Sequence, residues 1–152
     1  MWLVIGYGSP LHSDDRFGHA VAERVQTLAD PGSTEVVITT QLMPELAEPI
    51  SRAEGVVFVD ANADLPPARL EFKNLSAPQA SAPDIPSAFT HHCTPATLLE
   101  AALVLYGRAP EAWLCSAGSQ TFALGEALSP ALADVVPVAA ARILEVIGAS
   151  PA

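Results

Sequence analysis

Trp2-Leu3-Val4-Ile5-Gly6-Tyr7-Gly8-Ser9-Pro10-Leu11-His12-Ser13-Asp14-Asp15-Arg16-Phe17-Gly18 is the stretch whose reading decides the fold. Its first residues form an apolar run too short for a helix and suited to a buried strand. Gly6 and Gly8 then turn the chain, two adjacent carboxylates follow, and Phe17, Ala20, Val21, Val25 and Leu28 repeat at helical spacing. The order is strand, glycine turn, paired aspartates, helix. In open α/β folds the loop leaving the C-terminal end of a buried strand is where ligands bind.

The same alternation continues outward. Asp30-Pro31-Gly32 is a stop and turn, and the β-branched run Thr34 to Thr40 predicts a second strand. Pro44 suits the first position of a helix reaching about Ala53 or Glu54, with Pro49 kinking it or dividing it into two pieces. Val56-Val57-Phe58-Val59 is an unbroken apolar strand of the parallel-sheet kind, and it ends at Asp60-Ala61-Asn62. Residues 69–74 alternate charged and apolar, as a half-exposed edge strand does. Residues 75–89 are rich in Pro, Ala and Ser and read as a long loop that delivers Thr90-His91-His92-Cys93-Thr94-Pro95. Thr94 and Pro95 open a helix that is apolar nearly all round and expected to be deeply buried, ending near Gly107. Ala112 to Ser116 predicts another strand. Ser129-Pro130 opens a last helix with Leu132, Val135 or Val136, Ala139, Ile143 and Val146 on its core face and a bend at Pro137. Strands alternating with helices predict an α/β fold with a mostly parallel, twisted sheet covered on both faces.

The chain of 152 residues suits one domain, 1–152. Half of it is hydrophobic and 16% is charged, which favours a packed globule. A net charge of −10 argues against a nucleic-acid partner, since phosphate backbones call for basic surfaces. No stretch has the length of a membrane span, and the N-terminus lacks the basic residues of an export signal. Cys93 and Cys115 have no metal-pair spacing and are expected to be free thiols in a reducing compartment. A cytoplasmic monomer is the expectation.

Asp15, Asp60 and His92 stand at predicted strand ends or helix starts, which a parallel sheet gathers along one edge. Two carboxylates and an imidazole suit a divalent transition ion. They also suit acid–base chemistry, one carboxylate activating water and the imidazole serving the leaving amine. Asp14 and Asp15 could equally be helix caps, Asp60 a turn residue and His92 a structural histidine. His12 reads as a loop residue and His19 as part of a solvated helix face.

The opening stretch resembles the G-x-G-N-x-L-x-x-D-D-G-x-G motif of the nickel-iron hydrogenase maturation proteases, hydrolases that clip a C-terminal tail from the hydrogenase large-subunit precursor after nickel insertion. Gly6, Gly8, Leu11, Asp14, Asp15 and Gly18 match; Ser9 replaces the usual Asn and Arg16 a frequent Gly. The resemblance covers nearly the whole chain, to a closing Leu128-Ser129-Pro130. It implies a three-layer α/β/α sandwich and an aspartic-type endopeptidase. It implies that Asp15, Asp60 (in Val59-Asp60-Ala61) and His92 are the catalytic and metal-contacting residues, with His92 preferred over His91 by its distance from Pro95 and Leu99. They would sense nickel carried by the substrate, so no cofactor of the protein's own is expected. Gln41 to Leu46 departs from the Gly-Thr pair common in the family, in a loop expected to face the substrate.

Other classes fit less well. Gly6-x-Gly8 is part of a dinucleotide fingerprint, but Leu11 stands at the third glycine and no acidic residue ends the second strand. Cys93 has no Cys-His-Asn order behind it, Ser119 lacks the glycine of a nucleophile elbow, and there is no H-E-x-x-H zinc helix. A nickel-sensing chaperone that does not cleave would use the same three side chains.

Overall fold

The computed structural model describes residues 1–75, 93–125 and 127–149. In chain order the elements are β1 (Trp2–Tyr7), a 3-10 turn (Ser13–Arg16), α1 (Phe17–Leu28), β2 (Thr34–Thr39), a 3-10 turn (Pro44–Leu46), α2 (Ala47–Arg52), β3 (Gly55–Asn62), β4 (Leu70–Leu75), α3 (Pro95–Tyr106), β5 (Glu111–Gly118) and α4 (Pro130–Ala149). The strands form one five-stranded sheet in the order β2-β1-β3-β5-β4. All neighbours are parallel except β4, which runs antiparallel along β5 at the edge, where its charged–apolar alternation suits one exposed face.

Alternation along the central strands divides the core into two layers. Leu3 and Ile5 of β1 join Val56 and Phe58 of β3 on the face covered by α2 and α3, where Ile50, Leu98 and Leu99 are buried. Trp2 and Val4 join Val57 and Val59 on the face covered by α1 and α4, where Phe17, Val21, Leu132 and Ile143 are buried. The result is the expected three-layer α/β/α sandwich, both sheet faces being dry because both strand faces are apolar.

The expected kink at Pro49 takes the form of two pieces. The Pro44–Leu46 turn precedes α2, and Pro49 sits in the first turn of α2, where a missing N–H breaks no helical bond. α4 continues as helix through Pro137.

Two expectations are corrected. α3 is not buried all round: Leu98, Leu99, Ala101 and Ala102 face the core, but Leu105 and Tyr106 are about half exposed, at 46% and 51%. A helix in an outer layer packs one side on the sheet, and an apolar composition does not supply a cover for the other. His19 is buried rather than solvated, with Nε2 3.0 Å from the Thr39 carbonyl, to which a ring N–H donates at the end of β2. The 75–89 loop, from residue 76 onward, and His91 and His92 lie outside the described residues.

Candidate functional site

β1 is the turning point of the topology. The chain leaves it for β2 on one side, then returns past it to β3 on the other, so the C-terminal ends of β1 and β3 flank a switch point of the sheet. Gly6 pairs with Val59, which sets Tyr7 and Asp60 side by side just beyond the last paired rung. Period-2 alternation turns both toward the α2/α3 face, Tyr7 with Leu3 and Ile5, Asp60 with Val56 and Phe58.

There the Tyr7 hydroxyl donates to Asp60 Oδ2 at 2.7 Å. Burial is the main cause that raises the Asp60 pKa; the Tyr7 hydrogen bond opposes it, the nearby negative charge of Asp15 adds to it, and the outcome is about 6. A carboxyl with that pKa exchanges its proton close to neutrality, as a general acid or base must. Burial, then the Asp60 charge, hold the Tyr7 phenol far above its ordinary range, so it remains a donor.

Asp15 reaches the same edge from the 3-10 turn. Its Oδ2 accepts the Ser9 N–H at 2.6 Å, which closes the glycine turn beneath it. Gly8 has φ +133°, and a Cβ there would collide with the Asp15 carbonyl oxygen; only glycine lets the turn lie against the carboxylate-bearing backbone. A Cβ on Gly6 would strike the Gly18 carbonyl at the start of α1. These glycines are therefore packed on their own chain, Gly6 against the start of α1 and Gly8 against Asp15.

Asp14 has a different task. It is fully buried. Its Oδ2 accepts from the Gln120 N–H at 2.7 Å, the Thr121 N–H at 3.2 Å and the Ser129 hydroxyl at 3.0 Å, while Oδ1 accepts from the Ser129 N–H at 2.7 Å. Burial pushes its pKa up, but the N–H groups of Ser129 and Gln120, with the Ser129 hydroxyl and the Thr121 N–H, outweigh it and hold the carboxyl below its usual value. Neither aspartate caps α1: its N-cap is Arg16, and no side chain bonds the cap.

On the same sheet face, Cys93 packs against the core just before α3. Burial is the first cause that raises its thiol pKa, with a Thr97 hydrogen bond opposing and the charge of Glu45 adding, so the thiol stays protonated. Cys115 lies on the opposite sheet face, its pKa pushed by burial to about 12. Neither is an activated nucleophile.

The structure thus brings Asp15 and Asp60 to one edge. Among the described residues no group of three or more His, Cys, Asp or Glu is placed to hold a metal ion. His92 lies outside the described residues. Tyr7 and the Asp14 strap were missed by sequence reading. The signal for Tyr7 was present: its place in the strand alternation puts it on the same face as Asp60. Nothing local marks Asp14, because its partners lie more than a hundred residues away.

No family model matches the chain, and no curated protein matches it in sequence. Solved structures do match. The hydrogenase maturating endopeptidase HybD from Escherichia coli superposes with a TM-score of 0.74 at 19% identity, over 97% of this chain and 91% of that one. A hydrogenase 2 maturation peptidase from a Thaumarchaeota archaeon gives 0.71 at 22% identity, over 98% and 99%. The NiFe hydrogenase maturation protease HycI from Thermococcus kodakarensis gives 0.69 at 22%, over 97% and 92%. Across nearly its whole length, this chain has the fold of the hydrogenase maturation peptidases.

Proposed function

We propose that this protein is an endopeptidase of the nickel-iron hydrogenase maturation type, which removes the C-terminal tail of a hydrogenase large-subunit precursor once nickel has been inserted. The observation that carries the reading is the meeting of Asp15 and Asp60 at the switch point of a fold shared with peptidases of that name.

In this reading the ion belongs to the substrate. The precursor's own ligands hold nickel, and Asp15 and Asp60, with His92, complete its open positions and so report that insertion is finished. Oxygen and imidazole donors without a thiolate are a modest set, which suits a transient contact better than private retention of nickel. Asp60 would accept a proton from the attacking water and the imidazole would serve the leaving amine. The net charge of −10 accords with a protein partner rather than nucleic acid.

The test compares precursor without nickel, precursor with nickel, and precursor with nickel plus a chelator that strips only free ions, with the tail followed by mass. Cleavage is expected in the second and third mixtures. Cleavage of the nickel-free precursor would refute sensing. Loss of cleavage in the third would assign the metal to the enzyme. Retained binding of the precursor without cleavage in any mixture would favour a chaperone.

A further inference from the structure

We propose that Tyr7 is a positioning residue for Asp60: its hydroxyl fixes the carboxylate plane and occupies one oxygen, so that the other is presented to the cleft. This rests on the processing role proposed above and adds to it a residue outside the aspartate–histidine set.

The geometry is direct. The phenol carries one proton, and it goes to Asp60 Oδ2 at 2.7 Å. Among the described residues that is the hydrogen bond Asp60 accepts, and it falls on Oδ2 and not on Oδ1, so Tyr7 itself makes the two oxygens unequal. The ring that carries the hydroxyl is itself anchored. It is the last residue of β1, in register with Thr39 of β2, and it packs against the buried cluster that includes Ile50 and Leu98. Gly8 then turns the backbone away at φ +133°, leaving the Tyr7 side chain behind on the sheet face. A strand residue with a packed ring is a rigid support; a carboxylate without that support rotates about its terminal bond, which is soft. Outer-shell partners of this kind typically contribute about 10–100-fold to metal affinity or activity when a carboxylate contacts a metal or reacting atom.

The discriminating substitution is Tyr7→Phe, which keeps the ring and removes only the donor. With nickel-loaded precursor as substrate, kcat is expected to fall about 10–100-fold while KM stays within about threefold, because the group acts on the reacting centre and not on docking. Tyr7→Leu, which also removes the ring, is measured beside it on protein shown folded by circular dichroism. A kcat for Tyr7→Phe equal to the parent's overturns the inference. So does an effect confined to KM, and so does a loss seen only with Tyr7→Leu, since each makes Tyr7 a packing or docking residue. An inactive parent would refute the processing role itself, a result separate from any of these.

Discussion

Asp14 and Asp15 are neighbours with opposite surroundings. Asp14 accepts four hydrogen bonds in the interior, whereas Asp15 stands partly exposed at the sheet edge. Asp14→Asn places an amide where donors converge and is expected to cost about 3 kcal/mol or more, read by urea unfolding. The sign with pH follows from the depressed carboxyl: its contribution is complete above the ordinary carboxylate pKa of about 4 and is lost as pH falls through its native value. Asp60 behaves in the reverse sense. Its native pKa of about 6 exceeds its unfolded one, so stability falls as pH rises from about 4 to about 6 and is then level. Asp60→Asn, still able to accept from Tyr7, should therefore raise stability at pH 7 by about 1–3 kcal/mol while abolishing processing. Asp15→Asn should abolish processing with little change in stability. A fully active variant of either would remove that residue from the mechanism.

The turn between β1 and α1 and the start of α3 are the elements that present the site. Gly8→Ala combines a left-handed backbone with a side chain pressed on the Asp15 carbonyl, and should cost about 1–3 kcal/mol. Because the atom it displaces belongs to Asp15, processing measured on the folded fraction should fall as well. At the other wall a capping box opens α3. The Thr97 N–H donates to the Thr94 hydroxyl at 3.2 Å, and the Thr94 N–H donates to the Thr97 hydroxyl at 2.8 Å. Thr94→Ala should cost about 1 kcal/mol and lower the melting midpoint by about 2–4 °C. Element positions were largely legible in the sequence, since alternation, glycine turns and the Thr-Pro start are local signals. The burial of His19 and the half-exposed end of α3 were not, because each depends on which neighbour lies alongside.

For the molecule as a whole, the crossing from β2 past β1 to β3 creates the switch point, and two carboxylates distant in sequence come near enough there for the charge of Asp15 to act on Asp60. Crystals soaked in cadmium should show a bound ion at the Asp15–Asp60 edge, visible by anomalous scattering, and Asp60→Asn should remove it. An ion found only elsewhere on the negatively charged surface would deny the cleft its ligand character. The Asp14 strap belongs to this level too. It ties the loop from Gln120 to Ser129, which closes the fold, to the turn that carries Asp15. The approach to α4 and the opening motif are thereby tied together.

What the sequence determined by itself was what repeats locally. The apolar run of β1, the β-branched β2, the unbroken β3 and the helical stripes between them point to an α/β sandwich, since strands apolar on both faces need helices on both sides and the helices between them allow parallel crossovers. Asp15 and Asp60 were legible as candidates for the same reason, Asp60 closing the apolar run of β3 and Asp15 standing in the turn before α1. The tertiary structure alone decided the rest. It made Asp14 a buried strap and Asp15 a cleft residue, a division that adjacent identical side chains cannot signal. It joined Tyr7 to Asp60, because a hydrogen bond across a sheet requires the register and not the residues alone. And it moved the Asp60 proton toward neutrality, because burial and the Asp15 charge arise only when distant segments are packed together.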